Sequence, residues 1–184
     1  MILVVAATAF EAALAEGRGV EAVVCGIGPL EAGLATARAL AELQPDAVLQ
    51  IGIAGAQTLP NGSVVLGSEA VYCDILDPEA RLPRVERIAA DAALLAAAQR
   101  ALPDAHVLPI GTTARVGGGA ACEVEAMEGF GVLRAAQLAG VPALELRAIS
   151  NAVAERDRDK WHIDDAIAAL DGAVGLLLEA LAVA

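Results

Sequence analysis

A three-layer α/β fold, with helices on both faces of a mixed but mostly parallel sheet, is what this 184-residue sequence predicts. Three observations predict it. Strand-like segments occur as short apolar runs without alternation, the pattern of a sheet covered on both sides. Helical stretches separate those runs, as repeated βα units require. Apolar residues make up 57% of the chain but aromatics only 2%, so the core must be Val, Leu, Ile and Ala packed between layers. The length suits one domain, and no internal repeat or long linker divides residues 1–184.

The elements follow in chain order. Ile2–Ala6 is a first strand; MILVVAATAF has no basic segment before it and runs into Glu11, unlike a signal peptide. Ala22–Cys25 is the second strand. Pro29 suits the first turn of a helix reaching Leu43, with Leu30, Leu34, Ala37 and Ala41 on one face, and Pro45 ends it. Ala47–Ile51 is a strand followed by a small-residue turn, Ile51–Ala56, where backbone can approach a ligand or merely reverse. Val64–Tyr72 is the next strand, and Asp77–Pro83 is a surface loop. A helix over Arg87–Ala101 stops at Pro103, and His106–Ile110 is a strand. A helix over Glu125–Ala139 is capped by Gly140. Ala143–Ile149 is a strand and Asp164–Leu181 the closing helix. The C-terminal GAVGLLLEALAVA, interrupted by Glu179, is too short to span a bilayer.

Charge narrows the partners. A net charge of −12 repels phosphate backbones and anionic lipid, which argues against nucleic acid and membrane while leaving a small nucleoside open. Cys25, Cys73 and Cys122 are too few and scattered for a disulfide framework or a metal site. They read as reduced, buried thiols of a cytoplasmic protein.

Besides Ile51–Ala56, three segments carry possible chemistry. Cys25-Gly26-Ile27-Gly28-Pro29 joins a strand to a helix, where backbone N–H groups favour anions. Glu31 takes the place of the third glycine of a dinucleotide turn, so a tight βα turn lining another ligand fits better. Glu128 lies in an apolar stretch near Met127, Val132 and Leu133; a carboxylate there needs a partner or a ligand hydroxyl unless it is an ordinary exposed helix residue. Arg147 on an apolar strand wants a carboxylate, for which Glu128 is a candidate. That strand ends in Ser150-Asn151, at the strand end where open parallel sheets collect ligands, or in a plain turn.

Taken together, VVAATAFEA, CGIGPLEAGLATARAL, PDAVLQIGIAGA, GSEAVYCDIL and VEAMEGFGVLRAAQLAGVPALELRAISNAVAERDRDKW resemble, in order, the nucleoside phosphorylase/nucleosidase superfamily, and most of all its futalosine hydrolases. The resemblance implies a homo-oligomeric N-ribosidic hydrolase without cofactor or metal. It would cleave futalosine, a hypoxanthine nucleoside, on the route to menaquinone. By position Glu11 resembles the acid that deprotonates the attacking water, a role a hydrolase needs and one matched by the absence of a basic cluster in the early turns. Met127 and Glu128 resemble the sugar-binding pair, with Arg147 orienting Glu128. A carboxylate there stabilises the oxocarbenium-like transition state more than the neutral ground state. Asn151 stands where methylthioadenosine nucleosidases carry an aspartic acid; its amide can donate to N7 and a 6-oxo group, favouring hypoxanthine over adenine. Ser150, Ile53 and Phe10 complete the expected substrate contacts, Phe10 being one of four aromatics with Tyr72, Phe130 and Trp161. The substrate's carboxylate lies remote from the base, and Arg156, Arg158 or Arg115 is expected near it, whereas the mixed charges of Glu155–Trp161 otherwise read as a solvated loop. The competing readings are a methylthioadenosine/S-adenosylhomocysteine nucleosidase, a purine nucleoside phosphorylase, and a non-catalytic nucleoside-binding protein on the same fold.

Overall fold

The computed structural model describes residues 1–75, 79, 83–117 and 121–182. Its strands are β1 (Ile2–Ala6), β2 (Glu21–Val24), β3 (Ala47–Ala56), β4 (Val64–Tyr72), β5 (Arg87–Ala89), β6 (His106–Thr112), β7 (Val124–Ala126) and β8 (Ala143–Ala152). The helices are α1 (Ala9–Ala12), α2 (Pro29–Leu43), α3 (Ala92–Ala101), α4 (Gly129–Ala139) and α5 (Ile163–Ala182).

The sheet is mixed. Parallel ladders join β2 to β1, β1 to β3, β3 to β8, β4 to β6 and β6 to β7. Antiparallel ladders join β4 to β8, β4 to β5 and β7 to β3. The last of these closes a ring, β3–β8–β4–β6–β7–β3, from which β1 and β2 extend beyond β3. Ala54, Ala56, Val65, Ile110, Val124, Ala126 and Ile149 fill a cluster of their own between the ring strands. On one face α3, α5 and the residues following β1 pack on Val4, Leu49, Leu144 and Leu146. On the other, α2 and α4 cover Leu3, Val5 and Val48. Three layers result, as the apolar runs predict.

Several boundaries depart from the sequence reading, each for a physical reason. The expected turn at Ile51–Ala56 is strand, because β8 hydrogen-bonds along β3 as far as Ala56, with a register shift between Ala54 and Gly55. For the same reason β8 runs through Ser150 and Asn151 instead of turning there. Arg87–Ala89 is not helix but an edge strand on β4; the helix starts only at Ala92, where the Asp91 carboxylate accepts from the N–H groups of Ala93 and Leu94. Glu125 likewise lies in β7, and α4 begins after Glu128. The Leu30, Leu34, Ala37 and Ala41 face of α2 does not meet the core. The buried side is Ala32, Thr36, Ala39 and Leu40, while Leu30 and Leu34 are exposed. An alanine-rich helix presents two apolar stripes, and the one with the smaller side chains wins the close contact with α4. At that crossing a Cβ on Gly131 would overlap the Pro29 carbonyl. Most of the loop expected at Asp77–Pro83 lies outside the described residues. Among the described residues no helix is long and apolar enough to cross a membrane.

Candidate active site

A cavity of about 240 Å³ opens where β1, β3 and β8 end and the chain leaves β7. This is the strand-end position the parallel part of the sheet makes available. Thr8, Glu11, Ile53, Met127, Glu128, Arg147, Ser150 and Asn151 all line it.

Glu11 reaches it from the first turn of α1. Thr8 caps that turn, its Oγ1 accepting from the Glu11 N–H and donating to Oε2 of Glu11 at 2.8 Å, while the Thr8 N–H donates to the same oxygen at 3.1 Å. Oε1 of Glu11 accepts from the Ile53 N–H at 3.1 Å. The Ile53 carbonyl accepts from Nη1 of Arg147 at 3.2 Å, so one residue of β3 bridges Glu11 and Arg147 through its N–H and its C=O. Gly52 makes this possible: a Cβ there would overlap Arg147 and press on Oε1 of Glu11.

Glu128 is buried at the N-terminus of α4. Its Oε1 accepts from the Gly28 N–H at 3.1 Å and its Oε2 from Nη2 of Arg147 at 3.2 Å. The expected Glu128–Arg147 pair is therefore present. The Cys25–Pro29 turn does expose a backbone donor, but that donor serves a carboxylate of the protein itself.

Arg147 is 1% exposed. Burial alone would lower its pKa, but Glu145, Glu128 and Glu11 outweigh that and raise it, so the guanidinium stays charged. Glu145 holds Nε at 2.9 Å and is itself 1% exposed. Its pKa is raised, chiefly by burial, against the pull of Arg147. Cys25, behind Glu128, is pushed up to about 12 by burial and by that carboxylate's charge, which leaves a neutral thiol. It is the buried one of the three free cysteines; Cys73 and Cys122 are half-exposed.

At the other end, Asn151 is held by its neighbours. Its Oδ1 accepts from Oγ of Ser150 at 2.8 Å, and its Nδ2 donates to the Ala152 carbonyl at 2.9 Å. Ser150 also lies 3.2 Å from the Ala54 carbonyl.

Phe10 is the expected contact the structure does not bring in: it is 60% exposed and outside the cavity lining. Consecutive helical residues point about 100° apart, so Glu11 facing in turns Phe10 out. Tyr72 and Phe130 stack on each other with centroids 5.0 Å apart. Among the described residues the aromatic on the cavity wall is Trp161, whose Nε1 donates to the Glu155 carbonyl. Arg158 lies over its ring at 5.5 Å. The loop expected to be merely solvated thus supplies part of the wall. Arg115, Arg156 and Arg158 surround an adjoining recess at the rim, together with Val116 and Gly117. Among the described residues no group of His, Cys, Asp and Glu is arranged to hold a metal ion.

Sequence reasoning passed over Glu145, and named Trp161 only as one of four aromatics. A signal existed for the first: Glu145 and Arg147 are two residues apart on a buried strand and so share one face. Trp161 was masked by the charges around it.

Known proteins resemble this chain in sequence and in fold. The family described as the phosphorylase superfamily matches residues 5–182. A futalosine hydrolase of Streptomyces coelicolor is 61% identical over 57 residues, which span 31% of this chain and 24% of that protein's length. Among solved structures, the native futalosine hydrolase of Helicobacter pylori superposes with a TM-score of 0.86 at 16% identity, covering 97% of both chains. The S-adenosylhomocysteine nucleosidase of Streptococcus pyogenes, in complex with 5-methylthiotubericidin, gives 0.87 at 20% identity over 98% of this chain and 96% of its own.

Proposed function

The chain belongs to the phosphorylase superfamily, and from that membership we propose that it acts as a futalosine hydrolase. Water attacks the anomeric carbon of the ribose, the C1′–N9 bond breaks, and hypoxanthine and dehypoxanthine futalosine leave, a step toward menaquinone. The observation that carries this reading is that Glu11, Glu128 and Asn151 share one cavity, each with hydrogen-bonding capacity unspent.

A carboxylate offers about four lone-pair sites. Glu11 spends two on Thr8 and one on Ile53, which leaves one for a water. Glu128 spends one per oxygen, which leaves one on each for the two ribose hydroxyls. Asn151 spends one of two N–H bonds on Ala152, so a single donor remains for N7 or the 6-oxo group. The amide cannot supply a proton, so the purine departs as an anion steadied by that hydrogen bond and takes its proton from water. Ser150 fixes the amide, Met127 packs beneath the sugar, and Ile53 contributes its peptide.

Water is favoured over phosphate as nucleophile because the Gly28 N–H, the early-turn donor a phosphate would use, already faces a buried carboxylate. No cofactor or metal enters the scheme. The carboxylated arm of the substrate extends past Trp161 toward Arg115, Arg156 and Arg158. We further propose a homo-oligomer in the cytoplasm: Ile27, Leu30 and Leu34 form an apolar stripe, 61–70% exposed, beside the cavity wall, which a second copy would cover.

The test is incubation with futalosine, inosine and methylthioadenosine, with and without phosphate, reading the released base. Release of hypoxanthine from futalosine without phosphate is expected, and Glu11→Gln should lower kcat by about 10²–10⁴-fold. A phosphate requirement would overturn hydrolysis. Comparable release of adenine would overturn the role given to Asn151.

A further inference from the structure

Glu145 is a fully buried acid that does not line the cavity and so has no direct part in the chemistry above. Its placement is nonetheless specific. Oε1 accepts from Nε of Arg147, and Oε2 has no partner among the described residues. A Cβ on Gly129 would overlap the carboxyl group, so Glu145 also packs against the backbone immediately after Glu128. Oε2 is desolvated without a hydrogen bond in return, so what the placement secures is the contact of Oε1 with Arg147.

We propose that Glu145 is a positioning residue for the ribosyl transfer. A guanidinium is planar, so anchoring Nε at 2.9 Å fixes the plane in which Nη1 meets the Ile53 carbonyl and Nη2 meets Oε2 of Glu128. Packing against Gly129 sets the same carboxylate from the backbone side. Glu128 is thereby held by two routes that begin at one residue, and with it the oxygens that face the sugar. The inference rests on the reading of Glu128 as the ribose carboxylate.

Because misplacement of about 1 Å can cost on the order of 100-fold in rate, the effect belongs in kcat, with KM little changed. Three variants separate position from charge and packing. Glu145→Gln keeps an acceptor for Nε in place and should retain kcat within about threefold of the parent. Glu145→Asp keeps the charge but withdraws the acceptor by one carbon, and should lose about 10-fold or more. Glu145→Leu removes the acceptor and should lose on the order of 100-fold in kcat, with a lower melting temperature because Nε of Arg147 is left buried without a partner. Parent-like kcat in the Asp and Leu variants overturns the proposal, as does an equal loss in all three. If the Leu variant does not fold, the Gln and Asp pair decides alone. A parent that releases no base from any nucleoside overturns the proposed function and this inference with it; an active parent with indifferent Glu145 variants overturns only the inference.

Discussion

Arginine serves opposite ends at the floor and at the mouth of this cavity. On the floor Arg147 is 1% exposed and spends its donors on Glu145, Glu128 and the Ile53 carbonyl. At the mouth Arg115, Arg156 and Arg158 are exposed, and none forms an ion pair among the described residues. The difference matters in a chain of net charge −12, where acidic partners are abundant. A cation surrounded by fixed carboxylates is part of the architecture; cations left unpaired beside a cavity are available to a ligand. The floor should therefore respond to mutation through stability and kcat, the mouth through KM and salt.

The largest effect expected is from Arg147→Met. The substitution keeps volume but leaves Glu128 and Glu145 buried without their shared cation, a loss of about 3–5 kcal/mol by the usual cost of breaking a buried pair from one side. Urea unfolding measures it. A loss below about 1 kcal/mol would mean that the floor is held by packing, and the contrast with the mouth would collapse.

A subtler effect separates the two regions by pH. Burial raises the pKa of Glu145 above its ordinary 4.5, against the pull of Arg147. The unfolded chain gives up that proton near 4.5, whereas the folded chain keeps it to higher pH, so the folded state binds more protons in between. Stability from this group is then fully present below 4.5 and declines as pH rises through the folded value. Glu145→Gln lacks the titration, so its stability relative to the parent should grow from pH 4 to pH 7. A difference independent of pH would show that Glu145 is ionised throughout.

Much of this contrast was legible in the sequence, and the rest was hidden for identifiable reasons. Apolar runs such as Ile2–Ala6 and Val64–Tyr72 announce strands because both faces are covered. Arg147 and Glu128 were visible as charges in apolar surroundings, which must find partners. The ring closure was not visible, because β7 is three residues long and gains its stability from β6 and β3, far away in sequence. Glu125 and Arg87 looked helical for the same reason: local propensity extends a helix backward unless a cap such as Asp91 is recognised. Phe10 adjoins Glu11 in sequence, yet one helical step turns it to solvent. Trp161, amid Arg158, Asp159 and Lys160, had the opposite fate.

The smallest effect on the fold, and the sharpest on selectivity, is expected at the mouth. Replacing Arg115, Arg156 and Arg158 together by Ala should change stability by no more than about 0.5 kcal/mol per site, as exposed positions without ion-pair partners do. If the three arginines meet the carboxylated arm, KM for futalosine should rise about 10-fold, equivalent to about 1.4 kcal/mol, while KM for inosine, which lacks the arm, stays put. Salt gives an independent handle. Exposed charges are screened over about 8 Å at physiological ionic strength, so under the same condition the parent's KM for futalosine should rise relative to that for inosine as salt is added, and the triple variant's should not. Equal losses on both substrates would assign these arginines to the wall of the site, as Trp161 is, and leave the anionic arm to be bound elsewhere.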